Sequence, residues 1–382
     1  MANTTSLSRL PSLDGWRALS IAMVFGSHVA MASPKGETSG FGWFFDGRLG
    51  VRFFFVISGF LITWLLLQEA KHSGRVNLRH FYVRRFLRIL PVYYTVVLVL
   101  CALQWFTRYH EPTAGWVGML TFTRNYTDGS IGSGHLWSLA VEEQFYLLWP
   151  GLLVLLGGCS LRVRLAVLAV PILVAPVFRL GTFVFYFEHQ HIFQSPGGIH
   201  LTPAWVVNVF NSGSFLCNFD SLAFGCLGAS LLAADLAFLN GLFQKKRVWV
   251  FGAGLLLVAG PHAAINLHPS GVVRVLVLTG GPSLQALGFA LLLLHSLRRP
   301  EWPAYRVLNW KWVAWMGMLS YSLYIWQQIF CFRVWAGPDV WKNTPGELWA
   351  WFSLIPTFAV ACLSYYGLER PLFRLRSRFR HE

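Results

Sequence analysis

The stretch Asp14-Gly-Trp-Arg-Ala-Leu-Ser-Ile-Ala-Met-Val-Phe-Gly-Ser-His28 opens an apolar segment, yet it carries an arginine, Arg17, and a histidine, His28. On an α-helix their separation corresponds to about 16 Å of rise and an angular difference of about 20°. Both side chains therefore lie on one face of the predicted helix, at different depths. Polar side chains inside a membrane usually face the interior of a bundle and are functional. The alternative is structural: Arg17 extends to the membrane surface and His28 hydrogen-bonds a neighbouring helix.

The composition is that of an integral membrane protein rather than a soluble domain. Of 382 residues, 55% are hydrophobic and 12% are charged, and the mean hydropathy is +0.50. Several apolar runs approach the ~20 residues needed to cross a bilayer. We therefore predict an all-α integral membrane protein that forms a single domain over residues 1–382.

We predict about ten transmembrane helices in one bundle, with both termini in the cytoplasm. The predicted spans are residues 17–32, 49–69, 86–107, 136–157, 165–187, 215–235, 248–264, 273–296, 312–332 and 348–368. In this orientation 21 Lys and Arg residues fall in cytoplasmic segments and seven on the opposite side. Cytoplasmic loops are enriched in Lys and Arg, so the asymmetry supports the orientation. The basic tail 370–382 is expected at the anionic cytoplasmic leaflet.

Charge and cysteine placement exclude several other classes of protein. The net charge of +15 comes from basic residues in short loops, which indicates topology and not nucleic-acid binding. The six cysteines form no CxxC pair, so neither disulfides nor a zinc site is predicted. His189, His191 and His200 lie in a long outer loop without a carboxylate or cysteine at ligand spacing, so we predict no metal. The polar amino terminus predicts no removable signal peptide.

The predicted fourth helix begins His135-Leu-Trp-Ser-Leu-Ala-Val-Glu-Glu-Gln-Phe-Tyr146 and carries two adjacent carboxylates, Glu142 and Glu143. Its direction predicts that both lie at the depth of His28, although at most one can face the imidazole. A histidine oriented by a carboxylate is a typical general base, so we predict this role for His28 with Glu142. Tyr146 follows Glu142 by one turn. The alternative is a structural His–Glu pair that joins two helices.

A basic stretch, Arg79-His-Phe-Tyr-Val-Arg-Arg-Phe-Leu-Arg-Ile-Leu-Pro91, leads into the predicted third helix. Arg85 and Arg88 are three residues apart and share a helical face. Arginine binds phosphate with bidentate geometry, so this pair suits a nucleotide-like ligand. The alternative is that arginines next to the membrane only determine topology.

Small and polar residues interrupt three other predicted helices. Ser58-Gly59 lies in the middle of the second span and predicts close helix packing, since small residues let backbones approach. Tyr321 and Tyr324 fall in Leu319-Ser-Tyr-Ser-Leu-Tyr-Ile-Trp-Gln-Gln328 and could line a polar cavity. Glu369-Arg-Pro371 predicts the end of the last helix, with an ion pair.

Taken in order, these stretches resemble the acyltransferase family 3 membrane proteins, which O-acylate sugars and related hydroxyl compounds. The resemblance covers nearly the whole chain. It is carried by Leu-Asp-Gly-Trp-Arg-Ala, Arg17-x10-His28, Gly-Val-x-Phe-Phe-Phe-Val-Ile-Ser-Gly-Phe, Phe-Tyr-x-x-Arg85-x-x-Arg88-Ile-x-Pro, Trp-Ser-Leu-Ala-Val-Glu-Glu-Gln-Phe-Tyr, Ser-Tyr-Ser-Leu-Tyr-Ile-Trp and Glu-Arg-Pro. No single motif decides the match, but their order and spacing do.

The resemblance implies a donor and a set of roles. It implies acyl-CoA, usually acetyl-CoA, reaching its site from the cytoplasm. It implies that His28 is the essential catalytic residue, that Arg17 helps to place the donor or acyl group, and that Glu142 matches an acid of the family. It further implies that Arg85 and Arg88 engage the CoA phosphates. One departure is Gln327, where many relatives carry histidine.

The expected protein is therefore a multi-pass O-acyltransferase of the bacterial inner membrane. Its acceptor would be a carbohydrate or a glycosylated small-molecule or lipid-linked compound. We predict that Glu143, Tyr146, Tyr321 and Tyr324 contact substrates, and we consider Arg17 a candidate for stabilising the oxyanion. The alternative is a transporter or flippase that uses buried His, Arg and Glu for protons or cargo, although the apolar pattern contains no inverted repeat. Binding of CoA discriminates between the two.

Overall fold

The computed structural model describes residues 10–32, 45–193, 212–267, 270–336 and 346–376, and within these ranges it is helical and contains no β-strand. The helices are α1 (Leu13–Ala32), α2 (Gly47–Ser73), α3 (Leu78–Phe106), α4 (Thr113–Leu120), α5 (Leu136–Leu155), α6 (Leu161–Phe193), α7 (Phe215–Ala233), α8 (Ala237–Lys245), α9 (Arg247–Asn266), α10 (Gly271–Arg298), α11 (Pro303–Arg306), α12 (Lys311–Met318), α13 (Ser320–Cys331), α14 (Gly346–Ser364) and α15 (Arg370–Arg376). A π-helical segment, Tyr365–Glu369, joins the last two. The predicted all-α class is confirmed for these residues.

Each predicted span overlaps a helix, although the ninth differs in shape. Residues 312–332 form two helices, α12 and α13, which meet at Leu319. Among the described residues, six helices are long and apolar enough to cross a membrane: α2, α3, Leu161–Val184 of α6, α7, α9 and α10. These support a multi-pass membrane protein. The count of ten spans and the cytoplasmic location of both termini stay predictions.

Helices α1 and α5 are not among those six, although each has 20 residues. Such a helix is about 30 Å long, enough for a bilayer. Both carry charged side chains, Asp14 and Arg17 on α1 and Glu142 and Glu143 on α5, which lower their hydropathy. Arg17 and Glu142 line the internal cavity described below, which explains their place on these helices.

Helix α2 lies at the centre of the packing and contacts α1, α5, α7 and α10. Its contact with α7 is unusually close. A Cβ atom at Gly59 would lie 2.0 Å from the Leu222 carbonyl oxygen, and one at Gly225 would lie 2.1 Å from the Val56 carbonyl oxygen. Only glycine lets the two backbones approach this closely. The predicted packing role of the small residues in α2 is confirmed for Gly59.

The predicted helix end at Glu369-Arg-Pro371 is wrong. The chain passes from α14 through the π-helical segment and continues as α15 to Arg376. Proline lacks the N–H that an α-helix would use, and a π-turn skips one such bond, so the chain stays helical. Arg370 lies over the ring of Tyr366, with 5.7 Å to its centroid, whereas the Glu369 carboxylate accepts a hydrogen bond from Ser322.

The segment between α3 and α5 is packed by a polar cluster. The Glu111 carboxylate accepts hydrogen bonds from the Tyr109 hydroxyl, from Ser133 Oγ at 2.9 Å and from the Ser130 backbone N–H at 3.1 Å. Arg124 Nε donates to Ser133 Oγ at 3.0 Å. Burial raises the pKa of the Tyr109 phenol, since the charged form is poorly solvated there. The cluster therefore holds this segment as part of the fold.

Candidate active site

A narrow cavity of about 70 Å³ lies between α1, α2, α3, α5 and α13. We call the end of the bundle where α2 finishes and α3 starts the α2–α3 end; the sequence predicts that it faces the cytoplasm. The cavity is lined by Arg17, Val51, Phe54, Phe55, Ile57, Ser58, Arg85, Arg88, Ile89, Ser138, Leu139, Glu142, Tyr146, Ser320, Tyr321 and Tyr324. It thus brings together seven of the nine side chains that the sequence singled out. The two that do not line it are His28 and Glu143.

Helical spacing explains why these side chains meet. Ser138, Glu142 and Tyr146 follow one another at four-residue intervals along α5, so all three point from one face. Tyr321 and Tyr324 are likewise three residues apart on α13. Since α3 starts at the α2–α3 end, Arg85 and Arg88 of its first turns lie at that end of the cavity. The other lining residues of α2 and α5 are mainly apolar or aromatic, with Ser58 and, near Tyr324, Ser138 as polar exceptions.

The three neighbouring arginines of α3 have different surroundings. Arg84 points away from the cavity and pairs with Glu69 at 2.8 Å. The Arg85 guanidinium lies 5.3 Å from the ring centroid of Tyr146 and 5.6 Å from that of Phe81. Such cation–π contacts fix the direction of a guanidinium without neutralising it.

Arg88 and Arg17 contribute positive charge that faces the cavity. Across the described ranges, no carboxylate lies within 4 Å of either guanidinium. The two arginines are close enough to repel each other, and Glu142 and Glu369 are among their more distant acidic neighbours. A pair of cations without direct counter-ions in a narrow cavity suits an anionic ligand.

Glu142 has a defined position in the cavity wall. Its carboxylate accepts hydrogen bonds from Ser58 Oγ and from the Tyr146 hydroxyl, each at 3.0 Å. The predicted placement of Tyr146 one helical turn from Glu142 is therefore observed. Ser58, which the sequence assigned to packing, instead contributes its hydroxyl to this site. The expected contact between Glu142 and His28 is not present.

His28 lies outside the cavity, farther along α1. Its ring packs edge-on against Phe332, with 5.9 Å between centroids. The side chain of Gln327 is its polar neighbour, but the two do not meet in hydrogen-bonding geometry. Within the described part of the chain, Nδ1 of His28 and both polar atoms of the Gln327 amide are buried without a hydrogen-bond partner. Buried polar groups are rarely left unpaired, so this pair marks a place where a ligand could bind.

A polar network that sequence reasoning missed extends from the cavity residues Ser138 and Tyr324 to His135. The Tyr324 hydroxyl contacts Ser138 Oγ and donates to the His135 carbonyl oxygen at 2.9 Å. The His135 ring contacts Gln328 Oε1 through Nδ1 at 2.6 Å and the Ile325 carbonyl oxygen through Nε2 at 3.0 Å. The sequence does place a histidine two residues before Trp137 of the Trp-Ser-Leu stretch, and this is the signal that could have identified it.

A second polar network lies away from the cavity. Arg179 of α6 donates to Asp220 Oδ2 at 2.9 Å and to the Cys217 carbonyl oxygen at 2.6 Å, both on α7. Ser283 of α10 also donates to Asp220 Oδ2, at 2.5 Å. Asp220 is completely buried. Because the charges are paired and hydrogen-bonded, the network joins three helices.

The described residues contain no group of three or more His, Cys, Asp or Glu side chains that could hold a metal ion. The side chains of His189 and His191, and all of His200, lie outside the described residues.

Comparison with known proteins identifies the class to which this helical bundle with its basic cavity belongs. A family model described as "Acyltransferase domain" matches residues 10–366, nearly the whole chain. The chain therefore belongs to the acyltransferase 3 family, as its motifs predicted. No solved structure matches the chain.

Several bacterial relatives are similar in sequence. Peptidoglycan O-acetyltransferase OatA of Listeria monocytogenes is 24% identical over 97% of the chain and 57% of its own length. The Bacillus subtilis protein named "Putative peptidoglycan O-acetyltransferase YrhL" is 28% identical over 95% of the chain and 55% of its own length. O-acetyltransferase OatA of Staphylococcus aureus is 33% identical over 37% of the chain and 24% of its own length. The chain thus spans little more than half the length of the first two relatives.

Proposed function

We propose that this protein is a membrane O-acyltransferase that moves an acyl group, most simply acetyl, from acyl-CoA to a hydroxyl of a carbohydrate or glycosylated acceptor. One observation carries the proposal beyond family membership. The cavity is lined by Arg17 and Arg88, which have no direct counter-ion among the described residues, and α1 carries the half-buried His28 about 16 Å beyond Arg17.

The donor fits the charge and width of the cavity. CoA is highly anionic, and Arg85 and Arg88 would bind its phosphates at the α2–α3 end. A cavity of about 70 Å³ suits the thin pantetheine arm and leaves the nucleotide at the mouth. Arg17 would then contact the donor partway along its path. We assign Arg17 to donor binding rather than to the oxyanion, because about 16 Å of helix separates it from His28.

The chemistry would take place at His28. The imidazole removes the proton of the acceptor hydroxyl, and the oxygen attacks the thioester carbonyl carbon. A C–O bond forms, the C–S bond breaks, and the proton passes to the departing thiolate of CoA. The Gln327 amide, unpaired beside His28, is our candidate donor to the oxyanion. Glu142 would act on the donor side of the cavity, and Tyr321, Tyr324 and Tyr146 would contact the arm.

Because two relatives carry names that include peptidoglycan, glycans of that type are the first acceptors to test. The full-length protein would be reconstituted in liposomes with isotope-labelled acetyl-CoA and N-acetylated disaccharide glycans. We expect a base-labile labelled acetyl ester on the glycan, detected by mass spectrometry, with wild type and not with His28→Ala. If acetyl-CoA is neither bound nor consumed by the wild type, the proposal is wrong.

A further inference from the structure

Glu369 is a buried acid that does not line the cavity. Only 2% of its surface is exposed, and it is the last residue of the π-helical segment. Carboxylates are seldom this deeply buried unless they are paired or hydrogen-bonded. Single-turn π-helical segments are often found at functional sites, where the extra residue changes which side chain points inward. The segment that carries Glu369 packs against α3, the helix of Arg88.

One hydrogen bond and two charged neighbours connect Glu369 to the donor cavity. Its carboxylate accepts a hydrogen bond from Ser322, which lies on α13 between the cavity residues Tyr321 and Tyr324. Arg88 and Arg17 are its charged neighbours, although both lie beyond direct ion-pair distance within the described structure. Glu369 therefore lies behind the cavity wall, at the end that carries positive charge.

The charges explain what a carboxylate at this position does. Arg88 and Arg17 face the same cavity and repel each other, with Asp14 and Glu142 as further acidic neighbours of Arg17. A negative charge near both offsets that repulsion while leaving the donor-facing side of each guanidinium open. A bidentate contact with phosphate requires such a fixed guanidinium.

We propose that Glu369 is a positioning residue, which holds Arg88 and Arg17 in the orientation that binds the phosphates of the acyl-CoA donor. This inference rests on the proposed function, because it assumes that the cavity binds that donor. It assigns a role to the Glu-Arg-Pro stretch that the sequence suggested only as a helix end. A purely structural Glu369 would instead only tie α13 to the π-helical segment through Ser322.

The test compares two donors that share the thioester arm but differ in the phosphorylated adenosine portion of CoA. Dissociation constants for acetyl-CoA and for S-acetylpantetheine, which has the same thioester arm but no phosphate, would be measured on the purified full-length protein in detergent. Glu369→Gln is expected to raise the dissociation constant for acetyl-CoA at least tenfold and to change that for S-acetylpantetheine less than twofold. Glu369→Asp keeps the charge and is expected to weaken acetyl-CoA binding less than Glu369→Gln. The exposed acid variant Glu301→Gln is the matched control.

Each other outcome has a defined meaning. Equal weakening of both donors by Glu369→Gln would show a structural role and overturn the inference, as would unchanged binding of both. If Glu369→Gln does not fold, Glu369→Asp decides: equal loss for both donors overturns the inference, and selective loss for acetyl-CoA supports it. If the wild type binds neither donor, the proposed function fails, and the inference fails with it.

Discussion

Arg17 and His28 lie on one helix, α1, yet only Arg17 lines the cavity between α1, α2, α3, α5 and α13. About 16 Å of helix separates them, so one small group cannot contact both. A long, thin donor can. We therefore assign the two residues to different parts of one substrate, with Arg17 along the arm and His28 at the thioester.

Arg88 and Arg84 provide a matched pair for testing the donor site. Arg88→Ala is expected to raise the dissociation constant for CoA about tenfold or more, because a charge-assisted phosphate contact is worth roughly 1.5–3 kcal/mol. Arg84→Gln should leave it within about twofold, since Arg84 pairs with Glu69 outside the cavity. Calorimetric titration of both variants with CoA measures the difference. Equal effects of the two substitutions would contradict the assignment.

Gln327 should affect turnover more than binding. Loss of a preorganised oxyanion donor typically costs about 10²–10³-fold in kcat, so we expect a decrease of that order for Gln327→Ala with acetyl-CoA binding unchanged. Gln327→His restores a hydrogen-bond donor of similar reach and should recover part of the rate. Steady-state release of free CoA measures all three proteins. A Gln327→Ala protein with the wild-type rate would exclude this role.

The Arg179–Asp220 pair is expected to be structural. Asp220→Asn leaves a buried guanidinium without its counter-ion, which typically costs about 3–5 kcal/mol of folding free energy. The double substitution Arg179→Met with Asp220→Leu removes both charges and should recover part of the loss. Thermal unfolding in detergent compares the variants. If Asp220→Asn unfolds at the wild-type temperature, the pair does not support the bundle.

The contact between α2 and α7 should tolerate no added methyl group. Gly59→Ala places a Cβ 2.0 Å from the Leu222 carbonyl oxygen, so the helices must separate. Overpacking of this kind costs typically about 1–3 kcal/mol. Gly252→Ala on α9 is the control, because no neighbouring heavy atom lies within 4 Å of its added Cβ. Equal melting temperatures for the two variants would mean that the close packing is not needed.

Much of the fold and part of the site could be predicted from the sequence. Apolar runs and helical spacing are local properties, so they correctly predicted helices and the shared face of Arg85 and Arg88. Whether Glu142 faces His28 or Arg17 depends instead on how far two helices slide along each other, which no local pattern records. The observed packing moves Glu142 toward Arg17, and Ser58 donates to it.

Sequence reasoning missed the contacts of two residues, His135 and Glu369, for different reasons. His135 precedes a helix, where a polar residue is ordinary, and only packing against α13 brings its ring to Gln328. Glu369 precedes Arg-Pro, which is typical of a helix end, and only the π-helical segment turns it inward. In both cases the decisive contact is made by a residue distant in sequence.

The central claim is that His28 performs the chemistry on a donor held in the α1–α2–α3–α5–α13 cavity. The most direct measurement is acetyl-CoA binding and its slow hydrolysis to free CoA, compared between purified wild type and His28→Ala. We expect both proteins to bind acetyl-CoA with similar affinity and only the wild type to release free CoA. Release of CoA by His28→Ala at the wild-type rate, or no binding by either protein, would contradict the claim.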